Sequence, residues 1–361
     1  MIPASQPAQR PPDAKLLVID KCGGLTHMRR TSFVDLLRPG DLVVANDATA
    51  LPASLRGVHS PTGSPVEVRL AGRRSLDEVR EFTAVIFGAG DFHSRTEDRP
   101  APPRLKPGDR LMLGPLSATI ARLLDHPRLV DLQMDAPADA IWAGLARHGR
   151  PIQYAYVPVP LELWDAWAPV AGRPVAFEPP SAGFALDWRT VERIRAVGAR
   201  FVTLTHTAGI SSTGDIELDL KLPFDEPYRI PESTAYSVER ARARGGRIIA
   251  IGTTAVRALE HAARLDGRVH AGDGLATQRI GPGSRLHVVD AILTGVHEPG
   301  TSHHQLLQAF ADDATLNRAG KELEAMSYRT HEFGDSVLIE RKACGAGNPA
   351  CGRALERVQA G

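Results

Sequence analysis

The sequence is short of cysteine, of aromatic residues, of net charge and of long apolar runs, and each shortage excludes something. Three cysteines in 361 residues, Cys22, Cys344 and Cys351, are too few and too scattered for a disulfide framework. No two of them have zinc-ligand spacing, and reduced thiols are the simplest expectation. A net charge of +1 gives no electrostatic reason for indiscriminate nucleic-acid binding. Local basic clusters at Arg29-Arg30 and at Arg240, Arg242, Arg244 and Arg247 still leave room for docking a folded RNA. No run reaches the length needed to span a bilayer. The first fifteen residues are polar and proline-rich, without the apolar stretch of a secretory signal. The expectation is a cytoplasmic monomer with no membrane contact.

What the chain does have is the composition of a soluble globular protein, 43% hydrophobic and 24% charged. Its length exceeds what one core serves comfortably, so two domains are expected. From residue 59 to 150, short alternating segments such as Val66 to Leu70 and Phe82 to Phe87 are punctuated by Gly and Pro. That texture reads as a small inserted β-barrel. Residues 1–58 and 151–342 read as one discontinuous α/β domain with a mixed, largely parallel sheet, because apolar strands alternate there with helical segments. Its expected strands include Asp41 to Ala45, Phe201 to Thr205, Ile248 to Ile251, Leu286 to Ile292 and Ser336 to Ile339. An aromatic, proline-rich stretch from Pro151 to Trp188 is long for a connection and so a candidate for function. Residues 343–361 read as a flexible tail.

Arg247 to Glu260 is the most informative stretch. The apolar run Ile248 to Ile251 breaks at Gly252 into a helix with Thr253 and Thr254 as candidate N-caps. Unpaired amides and the positive end of the helix dipole favour a carboxylate, a phosphate or the polar edge of a nucleoside there. The plain alternative is a capped amphipathic helix whose Arg257, Glu260 and Arg264 form a surface ion-pair ladder. Other polar residues stand at expected strand ends: Asn46 and Asp47, His206 and Thr207, His297 and Glu298. In an open α/β sheet ligands sit at such ends. His297 is a candidate acid or base, as is Glu226, which falls in a proline-rich loop. His297, His303 and His304 lack the spacing of a helical ligand pair, and no metal is expected.

In order along the chain, these motifs resemble the S-adenosylmethionine:tRNA ribosyltransferase-isomerase family. The resemblance runs through Pro39-Gly-Asp-Leu-Val-Val-Ala-Asn46, Leu51-Pro-Ala53, Pro180-Ser-Ala-Gly183, the Arg247 to Glu260 segment, Val288-Val-Asp290 with His297, and Gly334-Asp335. It implies transfer and isomerisation of the ribosyl group of S-adenosylmethionine onto 7-aminomethyl-7-deazaguanine at the tRNA wobble position, giving epoxyqueuosine. By position it implies Asn46, Asp47, Ser181, Gly183, Gly252, Thr253 and Thr254 for the co-substrate and His297, Glu226 and Arg257 for the chemistry, with no resident cofactor. The aromatic stretch would stack a splayed anticodon base. The chain departs from the family at Pro151 to Tyr156, Leu163 to Trp167, Ala185, Thr205 to Ser211 and Gly295 to Pro299. Those departures leave two alternatives: a relative with another acceptor, or a non-catalytic nucleoside- or RNA-binding protein.

Overall fold

The computed structural model describes residues 1–342 apart from residues 10 and 12; the expected tail lies outside the described residues. A nine-stranded mixed sheet carries the larger domain. Its four central strands, Arg200–His206, Leu42–Asn46, Ile248–Ile251 and Ala291–Gly295, lie side by side and parallel. Alternation explains why they are central. Leu42, Val44, Ile248 and Ala250 join the core on one face of the sheet, while Val43, Ala45, Ile249 and Ile251 join the core on the other. A strand that is apolar on both faces has to be covered twice.

Mostly antiparallel partners complete the edges, the pairing of Ser336–Glu340 with Lys15–Ile19 being parallel. Glu226–Ile230 and Gly272–Ala276 extend one side, and Ser336–Glu340, Lys15–Ile19 and Leu25–Arg29 the other. Two expectations change here. Glu226 opens a strand rather than lying in a loop, hidden in the sequence by Pro223 and Pro227. The strand expected from Leu286 starts only at Ala291. The amides of His287, Val288 and Val289 instead donate to the Glu260 carboxylate at 2.7, 3.0 and 2.8 Å, which removes them from any ladder.

The inserted unit is a closed six-stranded barrel. It begins with Ser54–His59, ahead of the expected residue 59, and ends with His126–Met134. The helix Ala138–His148 contributes Ile141 and Leu145 to the barrel core. Phe177, from the larger domain, enters the same core and meets Phe82 edge-on at 6.2 Å. That contact fixes the barrel beside the strand ends. Cys22 is disulfide-bonded, so the expectation of three reduced thiols does not hold. Among the described residues no helix is long and apolar enough to cross a membrane.

Candidate active site

A cavity of about 300 Å³ opens at the carboxyl ends of the parallel strands. One wall is the start of the helix Thr253–Ala262. Gly252 is its N-cap at φ 86° and ψ 161°, a conformation in effect restricted to glycine, and Thr253 and Thr254 are the first two helical residues rather than caps. Gly252, Thr253 and Thr254 all line the cavity, together with Ser181 from the facing turn. A Cβ at position 252 would lie 3.1 Å from the Ala182 methyl. Gly252→Ala is therefore expected to cost about 1–3 kcal/mol through backbone strain. Thermal melting measures the cost.

Arg257 overturns the surface-ladder alternative. It is buried at 4% exposure and paired with Glu226. One guanidinium nitrogen, Nη2, donates to the carbonyls of Ala276 (2.9 Å), Phe224 (3.3 Å) and Gln278 (3.3 Å). Burial lowers its pKa only to about 10, so it is charged at neutral pH, and its side chain lines the cavity with Nε unpartnered. Glu226 is committed as well: beyond Arg257, it accepts the Gly209 amide at 2.6 Å and lies 3.5 Å from His206 Nε2. A carboxylate held this way orients the guanidinium. His206 is fully buried, and burial together with the charge of Arg257 keeps it neutral.

His297 closes another wall. Its Nε2 is 2.8 Å from Thr294 Oγ1, and its ring stacks on that of His303 at 4.8 Å. Burial, then His303, pushes its pKa well below the usual histidine value, and burial brings that of His303 to about 4. Both are neutral at pH 7. His297 is thus suited to share a hydrogen bond as a neutral imidazole, not to act as a standing acid.

Other candidates fall outside the cavity. Asn46 is buried, with Nδ2 donating to the His206 carbonyl (2.8 Å) and Thr254 Oγ1 (3.2 Å) and Oδ1 accepting the His206 and Ala48 amides. It clamps two strand ends to the helix start. Asp47 accepts Thr203 Oγ1 and Thr205 Oγ1 at 2.8 and 2.7 Å. Gly183 packs against Ala168 behind the Ser181 turn. These three residues position the site without facing it. The aromatic stretch also sits elsewhere than expected: Tyr154 and Tyr156 stack behind the wall, and Trp164 and Trp188 are exposed.

Residues not singled out in the sequence form the remaining wall: Glu178, Ser211, Ser212, His331 and Glu332. Glu178 was detectable in principle, as an acid set between Phe177 and Pro179 just after an apolar strand. Among the described residues no group of three His, Cys, Asp or Glu side chains is placed to hold a metal ion.

Fold and cavity together define an open α/β protein with an inserted barrel and a small polar-ligand site at its central strand ends. The chain belongs to the queuosine biosynthesis protein family, whose model matches residues 1–339. It is 33% identical to the S-adenosylmethionine:tRNA ribosyltransferase-isomerase of Sorangium cellulosum, over 94% of this chain and 96% of that protein. Identity to the enzyme of the same name from Moorella thermoacetica is 31%, over 94% and 97%. A solved S-adenosylmethionine tRNA ribosyltransferase from Thermotoga maritima is 22% identical, with a TM-score of 0.48 over 94% of this chain and 95% of that one.

Proposed function

We propose that the protein transfers and isomerises the ribosyl moiety of S-adenosylmethionine onto 7-aminomethyl-7-deazaguanine at the tRNA wobble position, leaving epoxyqueuosine and releasing adenine and methionine. The observation that carries this reading is the Gly252-Thr253-Thr254 helix start opening, beside buried Arg257, into the strand-end cavity. Similarity to the ribosyltransferase-isomerases over nearly the whole chain supports it. In this reading the helix amides, Thr253, Thr254 and Ser181 hold the polar edges of S-adenosylmethionine. Arg257, oriented by Glu226, supplies fixed positive charge where electron density builds up as bonds break. Neutral His297 shares a hydrogen bond at the departing nucleoside end. S-adenosylmethionine is a co-substrate and no resident cofactor takes part. The protein works as a monomer in the cytoplasm.

The test is to incubate the protein with S-adenosylmethionine and tRNA bearing 7-aminomethyl-7-deazaguanine, following adenine and the modified base. Adenine and epoxyqueuosine should appear in equal amounts. Adenine without a modified tRNA would point to another acceptor, and no adenine at all would reject the reading.

A further inference from the structure

A further part of the cavity lining carries chemistry that the proposed function leaves unused. Glu178, 5% exposed, and Glu332 both face the cavity, beside His331. Each carboxylate is backed by a phenol: Tyr154 donates to Glu178 Oε1 and Tyr156 donates to Glu332 Oε2. The Ser211 amide donates to Glu178 Oε2 at 3.0 Å. The rings of Tyr154, Tyr156 and His331 form one stack, with centroids 5.9 and 4.0 Å apart. His331 reaches it from a left-handed backbone at φ 68°. The stack fixes both phenols, and through them both carboxylates, before any substrate arrives.

We infer that Glu178 is the proton acceptor for the primary amine of the acceptor substrate, at a subsite that takes that amine as an ammonium against the Glu178 and Glu332 carboxylates. This rests on the proposed transfer to an aminomethyl base. The step is R–NH3⁺ + Glu178–COO⁻ → R–NH2 + Glu178–COOH. The nitrogen lone pair so released forms the new bond to the ribosyl carbon as the bond from that carbon to adenine breaks, and adenine leaves with that bond's electron pair and the second amine proton.

Burial, and then the charge of Glu332, raise the Glu178 pKa to about 7, while the Ser211 and Tyr154 hydrogen bonds oppose the rise. Against an alkylamine near about 10, a carboxyl raised this far narrows the mismatch for proton transfer by roughly two to three powers of ten. Other charged or titratable groups lie near this wall or elsewhere around the cavity. Arg69 sits 5.7 Å from the Tyr154 ring centroid; Glu298 lies 4.0 Å from His331 Nε2; Arg257 and Arg279 also line the cavity, and its His297 and His303 are neutral. Tyr154 and Tyr156 are held protonated, first by burial and then by their carboxylate partners.

The experiment is the pH dependence of kcat/KM for adenine release with tRNA bearing 7-aminomethyl-7-deazaguanine, alongside the affinity for S-adenosylmethionine alone. The wild type should gain activity through a limb near pH 7. Glu178→Gln should lose roughly 10²- to 10⁴-fold in kcat, with its affinity for S-adenosylmethionine kept. Glu332→Gln should move the limb to lower pH, because it removes a neighbouring negative charge. Tyr154→Phe should move it to higher pH, because it removes a donor to the carboxylate. These opposite shifts separate proton acceptance from a structural role even if Glu178→Gln folds poorly. A Glu178→Gln enzyme as active as wild type, or a limb that stays put in the other two variants, overturns the inference while leaving the transfer reading intact. A wild-type enzyme inactive on this tRNA overturns both.

Discussion

Arg257→Met is expected to abolish measurable binding of S-adenosylmethionine and to destabilise the protein by about 3–5 kcal/mol, because it leaves the Glu226 carboxylate buried without its counter-ion. The two losses have different origins and can be separated. Replacing both partners, as Arg257→Met with Glu226→Met, removes the unpaired charge and should restore much of the melting temperature. It should not restore binding, because the guanidinium facing the cavity is still missing. Thermal melting and calorimetric titration of the single and double variants provide the comparison. A double variant that recovered affinity along with stability would show Arg257 to be a fold element only, and a single variant with wild-type affinity would remove it from the site altogether.

How much of this was legible in the sequence depended on whether the signal was local. The central strands were legible because a doubly covered strand is apolar at every position, as at Leu42 to Ala45 and Ile248 to Ile251. The helix start was legible because Gly252 followed by threonines leaves few other readings. Contacts between distant segments were not. Nothing near Asn46 shows that its amide will be used up clamping His206 and Thr254. Nothing near Glu178 shows that Tyr154, Ser211 and Glu332 will gather around it. Periodicity placed Arg257 on a charged helix face, but whether that face meets water is decided by the strand Glu226–Ile230, which two prolines disguised.

The same helix face supplies the second large prediction, at Glu260, one turn beyond Arg257 and equally misread as a surface charge. Glu260 is 6% exposed, and its two oxygens accept three consecutive amides of the segment leading into Ala291–Gly295. Glu260→Gln keeps the size of the side chain but turns an N–H donor toward one of those amides. With the oxygen kept on Val288 and Val289, the amide of exposed His287 loses its acceptor and the remaining bonds lose their charge assistance, at a combined cost of about 1–3 kcal/mol. Glu260 does not line the cavity, so folded Glu260→Gln should bind S-adenosylmethionine with wild-type affinity while melting earlier. Hydrogen exchange should quicken at His287, Val288 and Val289. Wild-type melting would show that water replaces the lost acceptor. A fall in affinity without a fall in stability would mean that the segment carrying Thr294 and His297 is held in register by Glu260 for binding, and that this helix face serves the site at both positions.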